Sequence, residues 1–106
     1  MEIAFQTRVL RTICLSASRM DERYGAEGGA LLRRWLADAR AAGCLGDMPL
    51  SPAPNGSGEK AVVELGAGLR IFVKANHRKP PKLVGGKIDW SSVARILIQR
   101  IVKGND

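Results

Sequence analysis

The apolar residues of this chain change their spacing once, and that change limits the fold more than any other feature. From Val9 to Ala42 they recur at helical intervals, and from Ala61 to Lys74 they alternate. Between these stretches lies a run rich in glycine, proline and serine, Ser51-Pro52-Ala53-Pro54-Asn55-Gly56-Ser57-Gly58, which has neither period. A chain that changes period once, across a breaker, has segregated helices and strands, and so belongs to the α+β class.

The details follow the same logic. Residues 2–6 are short and apolar enough to open the chain as a strand. Val9, Ile13, Ala17, Met20 and Tyr24 then mark one helical stripe, which Gly25 is placed to end. Leu31, Leu32, Trp35, Leu36 and Ala39 mark a second helix over about 27–42, with Gly28 and Gly29 weakening its start and Gly43 ending it. Residues 46–60 are read as a loop. Ala61–Leu65 and Leu69–Lys74, joined through Gly66-Ala67-Gly68, are read as a hairpin. A basic, proline-containing loop fills 76–86, and the Ile- and Val-rich stretch Val93–Val102 is read as a closing strand. The expected order is strand, helix, helix, strand, strand, strand (β-α-α-β-β-β). A helical hairpin then packs on one face of a small, mainly antiparallel sheet, in a single domain over residues 1–106.

Charge is divided unevenly along the chain. Residues 1–64 carry eight basic and eight acidic residues, whereas residues 65–106 carry nine basic residues against Asp89 and Asp106, so the net +7 is entirely C-terminal. Such an excess steers polyanions and releases their counterions, with RNA the leading partner; the alternative is a solvated basic face that serves solubility. Alternation places Leu69, Ile71 and Val73 on one strand face and Arg70, Phe72 and Lys74 on the other. Cations beside an aromatic ring on a face turned from the core suit phosphate and base contacts, although Phe72 also reads as a packed residue.

Other chemistries find little support. The glycines lack phosphate-loop spacing, and one His with two distant Cys makes no metal site. Cys14 and Cys44 are expected as reduced thiols, and His77 as an exposed loop residue. No run of 18 apolar residues or secretory leader is seen, so a cytoplasmic protein without membrane contact is expected.

The ordered motifs Arg8-x-x-Arg11-x-x-Cys14, Tyr24-Gly25, Leu32-x-x-Trp35-Leu36-x-Asp38, Leu69-Arg70-Ile71-Phe72 and Lys79-Pro80-Pro81, followed by Ile88-Asp89-Trp90-x-x-Val93-x-x-Ile96-x-Ile98-x-x-Ile101-Val102, span nearly the whole chain. With them the chain resembles the RelE/ParE superfamily of bacterial type II toxins, most closely its HigB-like, plasmid maintenance killer branch. The resemblance implies a helical hairpin on an antiparallel sheet, cleavage of mRNA on the ribosome, inhibition of translation, and neutralisation by a cognate antitoxin protein. It implies no metal or organic cofactor. The branch usually ends its last strand with an acidic residue, Tyr and His, where this chain has Lys103, Gly104 and Asn105. The residues left to carry catalysis are Arg70, Lys74 and Lys60, with His77, Arg78, Lys79, Arg100 and Lys103 as RNA contacts. The ending also resembles the ParE branch, whose members target DNA gyrase. The alternative function is therefore a non-catalytic module, either a gyrase inhibitor or an inactive relative retained for antitoxin or operator binding.

Overall fold

A computed structural model describes residues 1–49, 52–54 and 58–104. Its elements are β1 (Glu2–Phe5), α1 (Arg8–Cys14), α2 (Ala17–Ala41), β2 (Ala53–Pro54), β3 (Lys60–Gly66), β4 (Leu69–Ala75) and β5 (Arg95–Lys103). Short 3-10 turns occupy Leu45–Asp47 and Trp90–Ser92. The strands form one sheet in the order β1-β5-β4-β3-β2. β1 runs parallel to β5, and the other neighbouring pairs are antiparallel. The chain is thus an α+β domain with helices on one face of a mixed sheet.

The helical region departs from its expected outline. One helix was expected from Val9 to Tyr24, but the chain breaks after Cys14 and restarts at Ala17. Ser16 makes the restart possible: its Oγ accepts from the Arg19 N–H at 3.3 Å, satisfying a donor that a helix start otherwise leaves open. Thr7 caps α1 in the same way, accepting from the Leu10 N–H at 3.1 Å. The break also changes the buried stripe. Leu10 and Cys14 face the core, while Val9 is exposed.

Gly25 ends one helical run within Ala17–Ala41 and a second run follows it, as the sequence predicts. Its φ of 80° and ψ of 167° lie in a region that essentially only glycine occupies. The chain turns there, so residues 17–24 fold back along the rest of α2. Gly29 permits the close approach, because a Cβ there would sit 2.0 Å from Asp21 Oδ1. Asp21 in turn pairs with Arg33 at 2.6 Å across the hairpin.

The core lies between this hairpin and the sheet. Leu32, Trp35, Leu36 and Ala39 of α2 are buried against Val63 of β3, Ile71 and Val73 of β4, and Ile96 and Ile98 of β5. Fully burying a side chain of this size stabilises the fold by about 1.5–3 kcal/mol. Residues 46–60, expected as a loop, contribute in part to this core. Met48 is buried, as is Leu45 just ahead of that range, whose N–H donates to the Val93 carbonyl at 2.8 Å. Ala53–Pro54 adds a short edge strand. Residues 50, 51 and 55–57 of that expected loop lie outside the described residues, and Lys60 at its end already belongs to β3. The closing strand begins at Arg95 rather than Val93, because Val93 ends the preceding 3-10 turn and is buried there. No helix among the described residues is long and apolar enough to cross a membrane.

Candidate nucleic-acid interface

The sheet face turned from the helices is built by alternation in β3 and β4 and by one irregularity in β5. In β4, Leu69, Ile71, Val73 and Ala75 are buried, while Arg70, Phe72 and Lys74 stand on the other side, as their spacing requires. In β5, strict alternation would send Arg100 inward with Ile96 and Ile98. A β-bulge prevents this. Phe72 pairs with Arg100 and Val73 with Ile98, leaving Gln99 as the extra residue. Downstream of it Ile101 turns to the core and Arg100 to the open face.

The register arranges this face in three rows. Lys60, Lys74 and Leu97 form the first, Val62, Phe72 and Arg100 the second, and Glu64, Arg70 and Val102 the third. Phe72 is the centre of the arrangement. The Arg100 guanidinium carbon lies 4.1 Å from its ring centroid and that of Arg70 lies 5.7 Å away. Both distances fall within the range of cation–π attraction. Arg70 also reaches the Gly104 carbonyl at 3.5 Å. Lys74 stands 4.0 Å from the Glu59 carboxylate, a half-exposed pair worth little in stability. Lys60 and Arg100 make no ion pair among the described residues.

The sequence-derived candidates therefore separate into groups. Arg70, Phe72 and Arg100 cluster, and Lys60 and Lys74 are direct cross-strand partners. Arg70 and Lys74 are four residues apart on one strand, about 13 Å by the strand rise, with Phe72 between them. Lys103 lies apart from both groups. It pairs with the core-facing Leu69, and its Nζ donates to the Tyr24 carbonyl at 2.7 Å. That carbonyl precedes the bend at Gly25, so Lys103 ties the sheet to the helical hairpin on the opposite side from the open face.

His77 has a structural task. It is half-buried rather than exposed, and its Nε2 accepts from the backbone N–H groups of Ala94 at 3.0 Å and Arg95 at 3.2 Å. This anchors the segment after β4 to the start of β5. Arg78 and Lys79 follow on the exposed part of that segment. At its far end Asp89 accepts from Ser91 Oγ at 2.7 Å and Ser92 Oγ at 2.8 Å. Hydrogen bonds from those two hydroxyls lower the carboxyl pKa below its ordinary value.

The sequence offers Arg100 as an RNA contact but does not show its seat over Phe72. Its position depends on the bulge at Gln99, which no residue type in β5 announces. The motif residues Leu32, Trp35, Leu36, Ile88, Val93, Ile96 and Ile98 are all buried, so they specify packing rather than the face. Asn105, the last of the positions that depart from the branch pattern, lies outside the described residues. Among the described residues no three His, Cys, Asp or Glu side chains gather as metal ligands. Compared with family models, with curated proteins and with solved structures, the chain matches none.

Proposed function

We propose that the open sheet face binds RNA, and that the chain is a cytoplasmic toxin of the RelE/ParE kind with a HigB-like fold. In this reading it is a ribosome-dependent mRNA endonuclease neutralised by an antitoxin protein. The observation that carries the RNA reading is Phe72 flanked by Arg70 and Arg100, beside the Lys60–Lys74 pair. A base can stack on the Arg100 guanidinium plane that lies over the Phe72 ring, and Arg70 beside it can hold an adjoining phosphate.

The same groups supply a route to cleavage. A lysine of the Lys60–Lys74 pair, in its neutral form, takes the 2′-hydroxyl proton as that oxygen attacks phosphorus. Arg70 stabilises the charge on the phosphorane oxygens. The bond to the 5′-oxygen then breaks, and that oxygen leaves with a proton from a second cation, giving a 2′,3′-cyclic phosphate.

One observation favours the non-catalytic alternative. The chain has a single histidine, and its Nε2 is committed to two backbone N–H groups. Tyr24 is buried on the helical side, so among the described residues the open face holds neither imidazole nor phenol. A binder that inhibits DNA gyrase, or one that serves antitoxin or operator binding, needs neither.

The test is primer extension on ribosome-bound mRNA alongside gyrase supercoiling, with wild type, Arg70→Lys and Lys74→Ala. The endonuclease reading requires cleavage by wild type and a loss of about 10²–10³-fold when the Arg70 fork is removed. Gyrase inhibition without cleavage replaces it with the alternative. Cleavage undiminished in both variants moves the active site off this face.

A further inference from the structure

The segment between β4 and β5 is a built projection that the open-face reading does not use. It leaves the sheet at the Lys74 end of β4 and returns on itself. The Leu83 N–H donates to the Lys87 carbonyl at 2.7 Å, and the Gly86 N–H to the Leu83 carbonyl at 3.0 Å. Lys82 and Ile88 form a β-bridge, and the Asp89 N–H donates to the Pro81 carbonyl at 2.9 Å. His77 fixes the base, as described above. The result is a short tongue with a closed turn.

The tip of that tongue is aliphatic and exposed. Leu83 is 53% accessible and Val84 is fully so. Lys82 and Lys87 flank the tip, with Arg78 and Lys79 nearer the base, and none of the four makes an ion pair among the described residues. Two adjacent aliphatic side chains held out in water by an ordered turn, between Lys82 and Lys87, are arranged to meet something both apolar and anionic.

We propose that this tongue is a recognition arm for base-paired RNA: Leu83 and Val84 enter a base step as a wedge while Lys82 and Lys87 hold the flanking phosphates. The proposal rests on the RNA reading of the open face and adds a duplex contact beside the single strand that the Phe72 platform would hold. Single strands, whose bases are already parted, are held by aromatic platforms, and this tip has no ring. Aliphatic wedges act where stacked bases must be separated, with phosphate contacts offsetting the cost of unstacking. A lipid surface is the poorer match. Interfacial anchoring grows with buried apolar area and favours Trp and Tyr, and two aliphatic side chains offer little of either.

The test uses the intact chain and a short RNA hairpin with a single-stranded overhang and with 2-aminopurine in its stem. Anisotropy reports affinity, and 2-aminopurine fluorescence reports loss of stacking. Wild type should bind and raise the fluorescence. Leu83→Ser/Val84→Ser should bind about tenfold more weakly, with no fluorescence rise and an unchanged salt slope. Lys82→Gln/Lys87→Gln should lower the salt slope by about 1.5–2 units. If the tip variant matches wild type in affinity and fluorescence while Arg70→Gln/Arg100→Gln loses affinity, the wedge is overturned and the open-face reading stands. If the tip variant alone loses affinity, the wedge stands and the open-face reading falls. If wild type ignores the hairpin but binds phosphatidylglycerol–phosphatidylcholine vesicles through the tip, both RNA readings are overturned in favour of a membrane contact.

Discussion

The Arg100 guanidinium stands 4.1 Å from the centroid of the Phe72 ring, and the two residues are direct partners across β4 and β5. Cation–π contacts at exposed sites are worth about 0.5–1 kcal/mol. In urea unfolding, Phe72→Leu and Arg100→Gln should therefore show a coupling energy of about that size in a double-mutant cycle. Zero coupling would mean that the two side chains are merely adjacent.

Gly25 and Lys103 form a second linked pair. Gly25→Ala forces a Cβ into a glycine-only backbone region and within 2.8 Å of Lys103 Nζ. Strain of this kind costs about 1–3 kcal/mol. Urea unfolding should show a loss in that range, and Lys103→Met should relieve only the part due to contact. Full recovery in the double variant would show that φ strain contributes nothing.

His77→Ala removes the acceptor shared by the Ala94 and Arg95 N–H groups. Leaving such donors unsatisfied costs about 1–3 kcal/mol, less where water can reach them. Amide hydrogen exchange at residues 94 and 95 should accelerate markedly, with the tongue loosened and the Leu32–Ile71 core protected. Unchanged exchange there would refute the anchoring role of His77.

Burial pushes the Cys14 thiol from about 9 to about 11, despite the opposing charge of Arg40. The folded state therefore keeps its proton between pH 9 and 11 while the unfolded state loses it. Stability is fully present below about pH 9 and falls as pH rises toward 11. Cys14→Ala should flatten that part of the profile. At neutral pH a maleimide should label the half-exposed Cys44 before the buried Cys14, and faster labelling of Cys14 would contradict its burial.

Much of the fold follows from local order in the sequence. Period-two alternation in β4 fixed Ile71 and Val73 as core and Arg70, Phe72 and Lys74 as open face, because successive side chains in a strand point to opposite sides. Helical spacing placed Leu32, Trp35 and Leu36 in the core for the same geometric reason. The phase of α1 was not legible, since Val9 and Leu10 are equally apolar and only packing chooses between them. Nor was the restart at Ser16, because a capping serine competes with continuation of the helix.

The α+β class, the one-sided charge and the membership of Arg70, Phe72 and Lys74 in one strand face are all legible along the chain. These depend on spacing and composition, which act locally. Arg100 joining Phe72, Lys103 crossing to Tyr24 and His77 serving the backbone at the start of β5 come from the folded packing alone. Each of these depends on the register between strands distant in sequence, or on a carbonyl or N–H left open by a bend elsewhere. A pairing register is set by the whole packed sheet, and the extra residue at Gln99 moves Arg100 to the open face without changing a single side chain.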